Sequence, residues 1–81
     1  MGKKNEILDL SFDFALEIIN LVKHLKVNKE FVMSNQLLWS GTSVGANITE
    51  AQAAQSPKDF IAKMSIASKE ARESNYWLRL L

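Results

Sequence analysis

The sequence predicts an all-α protein built as an antiparallel bundle of long helices running up and down the molecule. Apolar residues recur at spacings of three and four along almost the whole chain, which is the period of a helix face. No useful run of alternating apolar and polar residues, and no Asn-Gly or Asp-Gly turn, indicates a β-hairpin. Three glycines and one proline are the main interruptions in 81 residues, which leaves room for long helices.

A first helix is predicted at about residues 5–26. Its apolar stripe consists of Leu8, Ser11, Ala15, Ile18, Val22 and Leu25. Acidic residues lie in its first half and basic residues near its end, as the helix dipole favours.

A second helix is predicted at about residues 30–55. Its apolar stripe consists of Leu37, Gly41, Val44, Ile48 and Ala51. Between Phe31 and Ser56 the only charged residue is Glu50. Because a surface helix normally carries more charge on its outer face, we expect this helix to be covered on most sides.

The centre of this second helix is rich in small residues, namely Gly41, Ser43, Gly45 and Ala46. Each glycine inside a helix costs about 1 kcal/mol relative to alanine. Close approach of a neighbouring helix would offset that cost, so these four residues are predicted to lie where helices pack tightly. A break or kink at one of the two glycines is the alternative.

A third helix is predicted at about residues 57–81, because Ser56 can cap it, Pro57 suits its first position and Asp59 suits a capping box. Its coiled-coil-like seam consists of Phe60, Met64, Ala67, Ala71, Ser74, Leu78 and Leu81. The connections near residues 27–30 and 55–57 are too short to separate domains. We therefore expect one domain, residues 1–81, with antiparallel neighbouring helices.

Large apolar residues are left without an obvious place in three helices, and the chain stops at an apolar end. A truncated bundle, or an end buried by a partner, would explain such an end. We expect self-association, with these candidate interface residues: Trp39, Tyr76, Trp77 and Leu81. Aromatic side chains can also stack on bases, but they more often serve as packing anchors.

Composition limits the possible functions. The chain has no cysteine and one histidine, so it has neither a thiol nucleophile nor a zinc-thiolate site. A net charge of +1 gives little electrostatic basis for binding nucleic acid. No apolar stretch is suited to span a membrane, and no signal peptide opens the chain. These features predict a small cytoplasmic domain with no cofactor and no catalytic residues.

Three polar residues stand out in the second helix. Asn47 and Glu50 are three positions apart and share a face, and Gln36 lies one turn before the small residues. We interpret them as a buried polar network that fixes helix register. In that position Glu50 would need a cation, such as Lys69 or Arg72. A ligand or nucleic-acid site is the alternative.

Three lysines, Lys23, Lys26 and Lys29, cluster where the first helix ends. They can form a patch that contacts nucleic acid, which assembly into a ring would multiply. The simpler interpretation is that they keep the surface soluble.

Residues 36–51, reading QLLWSGTSVGANITEA, are followed by SPKDFI at residues 56–61 and IASKEARE at residues 66–73. In this order and spacing the segments resemble the four-helix-bundle family, also called the 23S ribosomal-RNA intervening-sequence proteins. The resemblance extends from residue 12 to residue 81. It implies an antiparallel bundle that assembles into ring-like homo-oligomers, commonly pentamers, without catalysis. Similar proteins are accessory subunits of retroelement reverse transcriptases and contact protein and nucleic acid.

The chain departs from the family pattern in two ways. Many members have two arginines where this chain has Leu38 and Trp39, which weakens the case for nucleic-acid binding. The family also continues past Leu81 into a fourth helix that this sequence does not contain. The function we favour is a non-enzymatic oligomeric scaffold or adaptor, which can also bind a protein partner. The alternative is a module that binds RNA or DNA directly.

Overall fold

The computed structural model describes residues 5–81. It contains three helices and, within those residues, no strand: α1 (Glu6–Val27), α2 (Phe31–Gln52) and α3 (Pro57–Leu80). The predicted all-α fold is confirmed. α2 ends three residues earlier than predicted. Its last turn tightens, with the N–H groups of Ala53 and Ala54 donating to carbonyls three residues back.

The short second connection explains that early end. Ser56 is fully extended, with φ −159° and ψ 163°, because a residue before a proline is disfavoured in the helical region. Residues 53–56 therefore leave the helix and turn the chain back towards α3. In the first connection, Lys29 reverses the chain with a left-handed φ of 63°.

α2 is the central helix and packs against both neighbours. No Cα atom of α1 lies within 8 Å of one in α3. Apolar side chains fill the two helix junctions. One cluster is built on Ile18, Val22, Leu25 and Leu37, and the other on Val44, Ile48 and Ala67. The Cα extents are 43 × 26 × 16 Å, and residues of α1 and α3 line a common groove with α2.

α1 and α2 come closest at Gly41. A Cβ atom added there would lie 2.8 Å from both Cγ1 and Cγ2 of Ile18, well inside van der Waals contact. At Gly45 the same added atom would lie 3.3 Å from the backbone oxygen of Ser11. α2 continues as a helix through both glycines, so they serve close packing and do not kink it.

α2 and α3 come together at a pair of buried hydroxyls. The Ser74 Oγ lies 2.9 Å from the Ser40 Oγ, and Ser40 in turn donates to the carbonyl of Gln36 in its own helix. Ser40 therefore accepts from Ser74. The carbonyl of Glu70 is also 2.9 Å from the Ser74 hydroxyl, which gives its single proton a second acceptor. Small polar residues at this point allow a close approach without an unpaired buried group.

The α1–α2 contact predicts that replacing a helical glycine by alanine lowers the stability of the fold, whereas this replacement ordinarily raises it. Gly41→Ala raises helix propensity by about 1 kcal/mol, but overpacking against Ile18 costs about 1–3 kcal/mol. We expect a net loss of stability in urea unfolding. In an Ile18→Ala background both Cγ atoms are gone and the remaining Cβ lies 3.2 Å from the added atom, so the same substitution should cost less stability than it does beside Ile18. Stabilisation by Gly41→Ala alone would contradict the close contact.

The hydroxyl pair predicts that the unfolding free energy depends more on the size of the side chain at Ser74 than on its polarity. Ser74→Ala leaves Ser40 bonded to Gln36, so we expect a loss of only about 0.5–1.5 kcal/mol in unfolding free energy. Ser74→Leu forces α3 away from α2 and should cost more, about 1–3 kcal/mol through overpacking alone. Equal stability of the two variants by urea unfolding would argue against a tight junction.

The start of α3 carries a pH-dependent contribution. The Ser56 Oγ accepts from the Asp59 N–H at 3.1 Å, and Asp59 accepts from the Lys63 ammonium at 3.0 Å and the Gln55 N–H at 3.2 Å. The Lys63 hydrogen bond, followed by that from Gln55, lowers the pKa of Asp59 below its ordinary value of 3.8.

Because that pKa is lowered in the folded state, Asp59 stabilises the fold above about pH 4, and this contribution is lost as pH falls through the folded pKa. Asp59→Asn should therefore flatten the acid limb of a stability–pH curve measured by thermal unfolding. Lys63→Gln, which removes the larger cause, should produce part of the same change. An unaltered acid limb in both variants would refute the linkage.

Candidate interaction surfaces

An apolar groove lies between α1 and α3, and residues of α2 also line it; we call it the α1–α3 groove. Its volume is about 340 Å³. Its lining residues are Ile7, Leu10, Ser11, Phe14, Val44, Ile48, Ala71, Asn75 and Leu78. The opening continues along α3 past Met64 and Ser68. None of these side chains is ionisable, so the groove is suited to an apolar helix or ligand and offers no acid or base for chemistry.

The outer face of α2, turned away from both neighbours, is the second unusual surface. Val32 is 76% exposed and Trp39 is 74% exposed. Glu50 is the only ionisable residue anywhere in the helix. Within the single chain, the prediction that α2 is covered on most sides is therefore wrong for this face. The lack of charge on α2 led to the prediction that the helix is covered. In the single chain it is instead a property of an exposed surface that has few charges to bind water.

The predicted polar network is not formed within the chain. Gln36 and Glu50 are exposed, because both lie on the outer half of α2. Asn47 is half-buried, and its Nδ2 donates to the Ser43 carbonyl of its own helix at 2.9 Å. The prediction that Gln36 and Glu50 are buried in a polar network is therefore wrong. The side-chain hydrogen bonds that join helices are instead Ser74 to Ser40 in the interior and Asn5 Nδ2 to Gln52 Oε1, at 3.2 Å, where α1 begins and α2 ends.

The cations suggested for Glu50 lie elsewhere. Lys69 is exposed, and Arg72 donates to the Ser68 hydroxyl at 3.0 Å. Among residues 5–81 the one ion pair joins Asp59 to Lys63. Glu50 is thus a solvent-facing charge in the single chain.

The small residues of α2 divide between two environments. Gly41 and Gly45 face α1 at the close contacts described above. Ser43 is half-buried and Ala46 is exposed, so neither lies at the α1–α2 contact. Ala46 instead lines a groove of about 420 Å³ between the outer sides of α1 and α2, together with Phe12 and Thr42.

The four predicted interface residues are not equally exposed. Tyr76 and Leu81 are 54% and 52% exposed, so with Trp39 they remain available to a partner. Trp77 is partly buried and packs against the cluster around Leu37. Its ring meets Tyr76 edge-on at a centroid distance of 5.2 Å. Trp77 therefore stabilises the α2–α3 junction itself.

The three lysines at the end of α1 are all exposed: Lys23, Lys26 and Lys29. Lys23 and Lys26 belong to α1, and Lys29 lies in the connection to α2. Among residues 5–81, no three His, Asp or Glu side chains lie close enough together to hold a metal ion. No helix in that range is both long and apolar enough to cross a membrane.

Comparison with known proteins identifies the family. The profile of the 23S rRNA-intervening sequence proteins matches residues 3–81. The chain belongs to this family. The predicted resemblance is confirmed over almost the whole sequence.

A solved relative agrees with the fold. The crystal structure, at 1.70 Å resolution, is of a protein with unknown function from the S23 ribosomal protein family of Bacteroides thetaiotaomicron VPI-5482. It is 59% identical to this chain and superimposes with a TM-score of 0.90. The match covers 93% of this chain and 70% of that one. Comparison with curated proteins gave no match.

Proposed function

We propose that this member of the 23S rRNA-intervening sequence family is a non-enzymatic helical scaffold or adaptor that associates with further copies of itself. The observation that carries the proposal is the exposed, almost uncharged outer face of α2, with Val32 and Trp39 largely open to solvent. Large apolar side chains exposed on a helix face with almost no charge are typical of protein interfaces, and tryptophan is prominent among the residues that dominate binding energy.

Physical chemistry favours covering this surface with protein. Each 100 Å² of apolar surface removed from water contributes about 2.5 kcal/mol before the losses of association. A water-facing helix normally gains solubility from charges, and α2 has Glu50 alone. A second protein molecule bound to this face removes its apolar side chains from water. The face then needs no charges to keep it soluble.

The α1–α3 groove supports the same proposal independently. The architecture that the family resemblance implies has a fourth helix in its bundle. We propose that an additional helix covers the groove. The apolar lining, with Ser11 and Asn75 as its polar members, suits the apolar face of a helix.

A link to ribosomal RNA or to a retroelement rests on the family resemblance. The exposed lysines Lys23, Lys26 and Lys29 are the feature that favours direct contact with nucleic acid. The net charge of +1 and the presence of Leu38 and Trp39 in place of an arginine pair oppose it. We therefore propose protein association as the main activity, with nucleic-acid binding as the competing outcome of the test.

The deciding measurement is size-exclusion chromatography with light scattering and absorbance at two wavelengths. The expected result is a mass several-fold above 9.1 kDa with no co-purified nucleic acid. A particle of 9.1 kDa at all accessible concentrations would contradict self-association. Nucleic acid that leaves at high salt would favour the binding module, because release of counterions makes phosphate contacts salt-dependent.

A further inference from the structure

α1 and α3 each carry a stripe of residues that takes no part in the two core clusters of the chain. Residues spaced alternately by three and four positions share one face of a helix. On α1 this spacing gives Asp9, Phe12, Leu16, Ile19 and Lys23, which we call the α1 flank. On α3 it gives Ile66, Lys69, Glu73, Tyr76 and Leu80, which we call the α3 flank.

The two flanks expose apolar side chains at two different edges of the molecule. Phe12 and Leu16 are exposed on α1, and Ile66, Tyr76 and Leu80 are exposed on α3. Such side chains gain free energy when a second protein surface removes them from water. The two flanks differ in composition, so a contact between them joins unlike surfaces.

Both flanks lie on the side of the molecule away from the α1–α3 groove. No residue of either flank lines that groove or its continuation along α3. Asp9 and Phe12 instead line the groove between α1 and α2. On α3, Glu73 accepts from the Trp77 indole N–H at 3.4 Å, and Trp77 packs against the cluster around Leu37 of α2. The two flanks therefore border the outer side of α2.

Contacts in the interior show which residues of α1 and α3 lie at the same height along the helices. Gly41 of α2 lies against Ile18 of α1. Ser40, the residue before Gly41, is bonded to Ser74 of α3. Because α2 is antiparallel to both neighbours, Ile18 is level with position 73 of α3, which is 55 positions later in the chain.

A second contact gives nearly the same relation at the start of α1. Asn5 is bonded to Gln52, which is twelve residues beyond Ser40, so Asn5 is level with position 62, 57 positions later. A residue of α1 is therefore level with the α3 residue 55–57 positions after it. Tyr76 is accordingly level with positions 19–21, which include Ile19.

The order of charges along the flanks is complementary when the two helices run in the same direction. Along the α1 flank the acid comes first, Asp9 before Lys23, and along the α3 flank the base comes first, Lys69 before Glu73. An antiparallel contact would instead bring Asp9 towards the Glu73 end. Complementary charges of this kind fix partner and orientation.

Asp9 and Lys69 are also close enough in height to pair between copies. Lys69 is level with positions 12–14, so it is about 4.5–7.5 Å from Asp9 along the helix axis. Helical side chains lean towards the start of their helix, which directs the long lysine side chain towards the height of Asp9. Both residues are exposed, and among residues 5–81 the one ion pair joins Asp59 to Lys63.

We propose that the α3 flank of one copy of this chain docks on the α1 flank of the next copy, with the two helices parallel and level. Asp9 then meets Lys69 of the neighbouring copy, and Ile19 meets its Tyr76. This inference rests on the self-association proposed above and specifies the two surfaces and their orientation.

The proposed contact is heterologous, because each copy uses its α1 flank on one side and its α3 flank on the other. A rotation about an axis along the helices repeats the contact and leaves every residue at its own height. Contacts of this type close into rings of an even or an odd number of copies, so they agree with the ring that the family resemblance implies. The contact also brings the outer sides of neighbouring α2 helices together and leaves the α1–α3 groove free for an additional helix.

Cross-linking tests which surfaces meet. The chain has no cysteine, and no Cα atom of α1 lies within 8 Å of one in α3, so a disulfide between these helices must join two copies. Under mild oxidation, the Ile19→Cys, Tyr76→Cys double variant should form a ladder of linked chains. Each single variant alone should stay unlinked, and an equal mixture of the two should stop at dimers.

The matched control moves the α1 cysteine to the other side of the helix. Glu17 is exposed and is seven positions from Leu10, which lines the α1–α3 groove, so the two share a face. The Glu17→Cys, Tyr76→Cys double variant should form no ladder at a comparable rate. A ladder as fast as that of the Ile19 variant, or dimers from Ile19→Cys alone, would overturn the proposed contact.

Charge exchange tests the orientation. Asp9→Lys alone and Lys69→Asp alone each replace an attractive contact by a repulsive one. We expect each to weaken association about fivefold at low salt in analytical ultracentrifugation. The double variant restores the pair with exchanged signs and should recover the affinity of the unaltered protein. Failure to recover would overturn the parallel, level docking.

The outcomes separate this inference from the proposal on which it rests. A protein that stays monomeric at every concentration refutes both. An assembly that forms without the ladder and without charge recovery refutes the docking of the two flanks and leaves self-association standing. The ladder, its absence in the control and the recovery in the double variant together establish the contact.

Discussion

The structure depends on how closely its neighbours can approach α2. On one side Gly41 has no side chain, and the Cγ atoms of Ile18 occupy the space that a Cβ atom would take. On the other side two serine hydroxyls, Ser40 and Ser74, meet at 2.9 Å. Small residues at both contacts bring the helix backbones together, and the larger apolar clusters then pack around them. A larger residue at either point would hold the neighbouring helix further from α2.

That central position explains why the surfaces suited to partners lie where they do. A helix with two neighbours on adjacent sides keeps its outer face exposed, and a groove is left between the two neighbours. In this chain the outer face of α2 carries Trp39 and Val32, and the groove is the α1–α3 groove. Neither surface contains a cluster of ionisable groups that would suit acid–base chemistry. The arrangement is therefore consistent with binding surfaces.

Sequence reasoning was most successful where periodicity and local signals coincide. The three helices, the cap at Ser56 and the place of Ser74 in the apolar seam of α3 all agree with the structure. It was weakest for α2, because a helix with a single charge does not reveal which side faces inward. Gln36 and Glu50 are polar residues in an apolar setting, which predicts a place in the interior, yet both are exposed.

Ser34 and Ser40 are the polar residues of α2 that are buried, and they extend the stripe of Leu37 and Val44 at helical spacing. A serine hydroxyl can donate to a carbonyl of its own helix, so burying a serine costs little free energy. Because serine is polar, its presence in a sequence does not by itself indicate a buried position.

The spacing of the α1 and α3 backbones has a consequence for how the chain folds. Cα atoms come within 8 Å only between helices that are consecutive in the sequence, so no such contact has to bring α1 to α3. Low contact order of this kind is associated with folding in microseconds to milliseconds. It also means that α1 or α3 can detach while the other remains docked on α2. Amide hydrogens of α2 should then be the slowest to exchange with solvent, and those of the outer helices faster.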